Sequence, residues 1–207
     1  MPCTLVRLAG CPLRCRYCDT PEALPVRSGT EVAIDAIVEE IERRNRPSVL
    51  ITGGEPLAQK HTRTLLARLA ERPRPVLLET AGAHPIADLP RPVHVILDIK
   101  TPGSGEVSRN RWENIEHLKP GDEIKFVLTD REDFDWMCRV IAERRLDRLG
   151  VPILASPAMP MLSPAQLARW ILDARAPVRL QLQLHKYIWP TGEEGSAHLK
   201  PRSFAHR

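Results

Sequence analysis

Apolar and polar positions along the 207 residues alternate between two textures. Short runs rich in β-branched residues predict strands at 4–8, 49–52, 76–80, 93–99, 123–128, 152–155 and 178–184. Most are separated by a stretch with helical period. In 30–45 the apolar residues Ile34, Ile37, Val38 and Ile41 recur at the i, i+3, i+4, i+7 spacing of one helix face. Thr30 is the expected N-cap and Pro47 the stop. Stretches 61–72 and 132–146 follow a similar pattern, and Ser163-Pro164 opens another helix with serine at the cap and proline in the first turn. Strand and helix in alternation imply an α/β fold with a mostly parallel sheet. The strands are too few for an eight-fold barrel. An open, partial (β/α)6-type barrel fits, as a single domain over 1–207. Its site belongs on the loops at the carboxyl ends of the strands.

Composition narrows the classes. Hydrophobic residues at 43% and charged residues at 27% are ordinary for a soluble chain. The longest apolar runs are strand-sized, far below the roughly 20 residues of a membrane helix. No basic patch followed by an apolar core opens the chain, so the expected compartment is the cytoplasm, without membrane attachment. The net charge of +4 is spread along the chain and only 4% of residues are aromatic, so nucleic acid is not an expected partner. Cysteine changes the picture most. Four of the five cysteines fall within the first 18 residues, a clustering that points to metal rather than disulfides.

Cys11, Cys15 and Cys18 form a C-x3-C-x2-C loop directly after the first strand. Three thiolates on a short loop supply three ligands of a cubane cluster and leave one iron open for chemistry. A zinc site would need a second half-site, and Cys138 is isolated in a helix, although Cys3 could approach the loop. After the second strand comes Thr52-Gly53-Gly54-Glu55-Pro56, where paired glycines let backbone approach a ligand.

The cysteine loop, with Tyr17 at its aromatic place, resembles the signature of the radical S-adenosylmethionine (SAM) superfamily, and the Gly-Gly-Glu-Pro element resembles that superfamily's SAM-contacting strand end. Further segments resemble the 7-carboxy-7-deazaguanine synthases of queuosine and deazapurine biosynthesis: Val6-Arg7-Leu8-Ala9-Gly10-Cys11, Cys18-Asp19-Thr20, Glu79-Thr80-Ala81-Gly82, Asp98-Ile99-Lys100-Thr101-Pro102, Glu123-Ile124-Lys125-Phe126-Val127 and Leu182-Gln183-Leu184-His185-Lys186. The resemblance implies a radical SAM lyase that contracts the ring of 6-carboxy-5,6,7,8-tetrahydropterin to 7-carboxy-7-deazaguanine with loss of ammonia. It also implies a 4Fe-4S cluster, SAM used catalytically, Mg²⁺, reduction by flavodoxin or ferredoxin, and a homodimer. On this basis Cys11, Cys15 and Cys18 hold the cluster and Thr20 holds Mg²⁺. Tyr17, Cys18, Asp19, Gly53, Gly54, Glu55, Gly82, Lys100 and Ser156 adjoin SAM, with Lys125 a weaker candidate. Arg7, Thr80 and His185 contact substrate, Arg7 through its carboxylate. Strand alternation puts His185 on the face opposite Leu180, Leu182 and Leu184.

The resemblance has one gap. The family carries some twenty residues before the arginine-bearing strand, including a Ser-x-Gln-Gly-Glu segment that holds the pterin. This sequence begins at Met1-Pro2-Cys3, inside the expected first strand, and Pro12 stands where the family has asparagine. Two other functions fit parts of the pattern: a glycyl-radical-activase-like radical SAM enzyme, and a non-catalytic cluster- or zinc-binding module.

Overall fold

The computed structural model describes residues 2–188. Within them lie seven strands, β1 (Cys3–Leu8), β2 (Ser48–Gly53), β3 (Val76–Thr80), β4 (Val93–Ile99), β5 (Glu123–Leu128), β6 (Ile153–Pro157) and β7 (Arg179–Leu180). They form one sheet in sequence order, every pairing parallel. Among the described residues no pairing joins β7 back to β1, so the barrel is open. The helices are α1 (Ile34–Arg44), α2 (Thr62–Ala70), α3 (Arg131–Glu143), α4 (Pro164–Ala174) and the short α5 (His185–Ile188).

The apolar pattern located most elements, and the differences have physical causes. The helix expected over 30–45 starts later, with Ala33 rather than Thr30 at the cap, and it stops at Asn45 before Pro47 is reached. Asn45 takes the left-handed conformation (φ 46°) and returns its N–H to Ile41 and Glu42, a C-terminal cap that asparagine tolerates well. Ser163 does cap α4, its Oγ accepting from the Gln166 N–H at 3.2 Å, with Pro164 in the first turn. Two crossovers break the strand–helix alternation. None of the described helices lies between β3 and β4, and three 3-10 turns replace one between β4 and β5. The last strand is cut to Arg179–Leu180, and His185 opens α5 instead of extending a strand. Alternation therefore says nothing about which way His185 faces, and its side chain lies outside the described structure.

Each strand separates two environments by its period of two. Val76, Leu78, Val93, Val95, Leu97, Ile99, Ile124, Phe126 and Leu128 form one face, buried under the helices. On the other face the register aligns Arg7 with Thr52, Glu79 with Ile96, Asp98 with Lys125, and Val127 with Ser156. This concave face carries the charge.

Candidate active site

The cysteine loop leaves the carboxyl end of β1 and is held there by backbone. Gly54 N–H donates to Leu8 O at 2.8 Å, Glu55 N–H to Gly10 O at 2.9 Å, and Gly10 N–H to Ala23 O at 2.8 Å. These contacts explain the paired glycines. A Cβ on Gly53 would meet Leu8 O at 2.0 Å, and one on Gly54 would meet Gly10 O at 2.4 Å. Gly53 also has φ +147°, outside the range of L side chains. The Gly-Gly pair thus presses β2 against the root of the cysteine loop, a role complete without any ligand.

Glu55 completes that clamp. It is fully buried, and its carboxylate accepts from Leu57 N–H (2.9 Å), the Thr80 hydroxyl (2.8 Å) and Ala81 N–H (2.7 Å). Thr80 in turn accepts from Gly82 N–H at 3.2 Å. A buried carboxylate surrounded by donors is stable only as a set. Thr80, expected to touch substrate, is buried at this point. Its side chain lies on the helix-facing side, paired in register with Leu97, and its hydroxyl is spent on Glu55 and Gly82. Glu55 likewise has a positioning role through its side chain. Gly82, at φ +69°, packs against Leu97, where a Cβ would come within 2.7 Å.

On the cysteine loop, Leu13 is the buried anchor. Cys11, Cys15 and Cys18 are free and half-buried. Burial pushes the Cys11 thiol up from its ordinary value and the Cys15 thiol up to about 11, and the neighbouring thiols add to this. Lone thiolates are therefore disfavoured here, and a cationic metal group is what such a donor set suits. Among the described residues, no three His, Cys, Asp or Glu side chains gather on a single point as one ion would require. A cubane binds each thiolate through a different iron and needs no such point. Cys3 starts β1, whose length of roughly 17 Å separates it from the loop. Cys138 lies in α3 against the core.

Beside the loop two buried polar atoms have no partner, the Tyr17 hydroxyl and Asp98 Oδ1. Burial, and then the Asp98 charge, pushes the Tyr17 hydroxyl up, so it stays a donor. Lys100 pairs with the other Asp98 oxygen at 2.9 Å, and that charge outweighs burial to hold the ammonium protonated. Asn110 brackets the Lys100 backbone at 2.8 Å on both sides. Ser156 is buried in β6 opposite Val127. A bound ligand rich in hydroxyl and amino groups fits this end of the sheet, because it supplies the partners that the protein leaves out.

A second chain of contacts runs from β1 to the segment after β7. Arg7 Nη1 donates to Thr20 Oγ1 at 3.0 Å, and Thr20 donates to Asp19 Oδ1 at 3.1 Å. Asp19 Oδ2 accepts from Gln183 and lies 3.7 Å from Lys186 Nζ. Burial works to raise the Asp19 pKa, but Gln183, Lys186 and Thr20 outweigh it and hold the carboxylate below its usual range. Asp19 thereby ties both edges of the open sheet to the loop. Gln183 and Lys186 were not foreseen as site residues. Nor was Glu79, which pairs with Lys125 at 2.6 Å across β4. Their signal was present in the sequence: in β3, β4 and β5 the charged residues share one parity.

A family model described as the radical SAM superfamily matches residues 5–157. The 7-carboxy-7-deazaguanine synthase of Chlorobaculum tepidum is 42% identical over 198 residues, covering 94% of this chain and 88% of the relative. The chain belongs to this family of radical SAM enzymes. The synthase of Koribacter versatilis is 35% identical, covering 94% of this chain and 92% of its own. Among solved structures, Streptococcus suis SuiB bound to its precursor peptide SuiA aligns at a TM-score of 0.60 with 15% identity, over 87% of this chain. This chain spans about half of SuiB, 48% of its length, and the likeness concerns the fold. Membership of the radical SAM superfamily implies SAM and a 4Fe-4S cluster, with Cys11, Cys15 and Cys18 as the fitting ligands. No described helix is long and apolar enough to cross a membrane.

Proposed function

We propose that this chain is a 7-carboxy-7-deazaguanine synthase, a lyase that converts 6-carboxy-5,6,7,8-tetrahydropterin to 7-carboxy-7-deazaguanine with loss of ammonia. The observation that carries the reading is the near full-length identity to synthases, joined to a cysteine loop placed over a charged concave face. When bound, the cluster and SAM supply a one-electron cleavage that generates an alkyl radical. Cys11, Cys15 and Cys18 hold the cluster, and Leu13 and the Gly53-Gly54-Glu55 clamp fix the loop. The Tyr17 hydroxyl would be free to donate to SAM and Asp98 Oδ1 to accept from it, while Lys100 pairs with the other Asp98 oxygen. Gly82, Ser156 and Lys125 border the same space. Arg7 grips the substrate carboxylate with two parallel hydrogen bonds. Thr20, beside Asp19, offers Mg²⁺ a hydroxyl, a hard oxygen ligand to be completed by substrate and water. His185 belongs to the substrate side. The compartment is the cytoplasm and the assembly a homodimer, without nucleic acid or membrane as partner.

The test is anaerobic reconstitution with iron and sulfide, then reductant, SAM and the carboxypterin. We expect 7-carboxy-7-deazaguanine with SAM persisting over many turnovers. Stoichiometric consumption of SAM with no deazaguanine would overturn the reading.

A further inference from the structure

We propose that Glu106, in the crossover between β4 and β5, is a positioning residue for the cluster: its carboxylate fixes the backbone beside Cys15, and its charge sets how readily the cluster accepts an electron. The inference rests on the reading that the cysteine loop holds a 4Fe-4S cluster. Cys15 is the middle ligand of that loop, and both of its neighbours are held from outside. Arg14 N–H donates to Glu106 Oε1 at 2.6 Å, and Arg16 N–H donates to Ser104 O at 3.0 Å. Both acceptors belong to one short turn. Cys18 N–H donates to Cys15 O at 3.1 Å, so the placing of Cys18 depends on Cys15 in turn.

The turn is built independently of the loop that leans on it. Ser104 is fully buried; its Oγ accepts from Glu106 N–H at 3.0 Å and donates to Thr101 O at 2.6 Å. Asp133, buried in the first turn of α3, accepts from Gly103 N–H at 2.7 Å. The same carboxylate accepts from the Thr129 N–H at 2.9 Å and the Thr129 hydroxyl at 2.7 Å. A Cβ on Gly103 would collide with Thr129 and Asp133, so the turn is pressed onto the end of β5 and the start of α3. Anchors on the sheet and on a helix make it a fixed support, and Glu106 is where the cysteine loop engages that support.

The second half of the role is charge. Glu106 is half-buried. Among the described residues it has no ion-pair partner, unlike Asp98 and Glu79, which pair with Lys100 and Lys125. The nearby Arg14 guanidinium turns instead to the carbonyls of Cys11 (2.8 Å) and Leu13 (2.7 Å). An unneutralised carboxylate next to a cysteine ligand opposes the addition of an electron, because local charge and hydrogen bonding set cluster potentials. Glu106 thus holds the cluster at a low potential while its hydrogen bond keeps the ligand loop in shape.

The test compares the cluster-loaded protein with three variants that separate bond from charge. Glu106→Gln keeps an acceptor at the same reach and loses the charge. Glu106→Asp keeps the charge and falls short of Arg14. Glu106→Ala loses both. A redox titration with dithionite, read by electron paramagnetic resonance, follows the uptake of one electron by the cluster, with no bond made or broken. A chelator challenge without SAM follows the loss of iron. We expect Glu106→Gln to ease reduction about three- to tenfold, a potential about 30–60 mV more positive, with iron lost as slowly as from the original protein. Glu106→Asp should keep the original potential and lose iron about threefold faster or more. Glu106→Ala should show both changes. The isosteric glutamine tests the charge even where a shorter side chain costs folding. An unchanged potential in Glu106→Gln, or iron loss from Glu106→Asp and Glu106→Ala no faster than from the original, would overturn the proposal. Neither readout involves substrate, so a failure to form deazaguanine would count against the synthase reading alone.

Discussion

On its helix-facing side the sheet presents Val95, Leu97, Ile99, Ile124, Phe126 and Leu128, while on the concave side β3, β4 and β5 present Glu79, Asp98 and Lys125. The first set does what a core does: it leaves water and stabilises the fold by about 25 cal/mol per Å² of apolar area. The second set does not follow from stability. Taking Glu79 and Lys125 out of water carries a desolvation penalty that their attraction rarely exceeds by much. A face that keeps such pairs, together with an unpartnered Asp98 oxygen and Tyr17 hydroxyl, is arranged for a ligand. One sheet thus separates folding from function by side-chain parity, and each face can be broken without the other.

The largest effect should come at the loop that caps the concave face. Replacing Cys11, Cys15 or Cys18 with alanine should abolish the cluster, read as loss of iron and of visible absorption, while Cys138→Ala should retain about four irons. A cluster that needs Cys138 equally would remove the reason for assigning it to the loop.

The opposite result is expected on the helix-facing side. Phe126 is fully buried and lies edge-on to Trp136 at 6.3 Å. Phe126→Ala should cost about 3–5 kcal/mol of stability in denaturant unfolding. The surviving folded fraction should still bind SAM. Loss of SAM binding in fully folded protein would show that the two faces are coupled.

Arg7→Ala probes the substrate side without touching the core. Truncating a bidentate pair in a desolvated site is worth roughly 2–5 kcal/mol. Carboxypterin affinity should therefore fall about 30-fold or more, with the cluster and SAM cleavage intact. An unchanged affinity would confine Arg7 to its bond with Thr20.

The smallest change in stability should come from removing the concave ion pair altogether. Glu79→Leu with Lys125→Met should leave unfolding free energy within about 1–2 kcal/mol of the original, or raise it, while turnover is lost. The pH dependence sharpens this. Burial works to raise the Glu79 pKa, but Lys125 outweighs it and holds the group below its ordinary 4.5. A carboxylate depressed in the folded state contributes stability that is present above the unfolded value and lost as pH falls through the folded one. The double variant should therefore show a shallower acid limb in a pH series of melting temperatures. An unaltered limb would mean that the pair is not formed in solution.

The helix-facing side was the more legible from sequence. Three of the seven strands, at 76–80, 93–99 and 123–128, have the expected bounds, because apolar alternation reports burial directly. What the pattern hid was the pair of crossovers around β4: none of the described helices leads into it, and the 3-10 turns that follow it leave no 3.6-residue period. It also hid the end of β7. Leu180, Leu182 and Leu184 alternate like a strand, yet Gln183 turns to Asp19 and a helix begins. The cysteine loop was legible as chemistry because three thiols at short spacing have few other uses. The bond between Thr80 and Glu55 was not legible, because a motif names residues without stating which face they occupy. Glu79, Gln183 and Lys186 were missed because their partners are distant in sequence.

The most direct measurement of the central claim uses carboxypterin carrying deuterium at C6, with reconstituted protein, reductant and SAM, and follows the label by mass spectrometry. If the concave face presents substrate to a radical made at the cysteine loop, deuterium should enter the 5′ position of recovered SAM while 7-carboxy-7-deazaguanine accumulates. Recovered SAM without label, alongside unlabelled 5′-deoxyadenosine, would contradict it: the loop would then cleave SAM without the concave face delivering substrate to it.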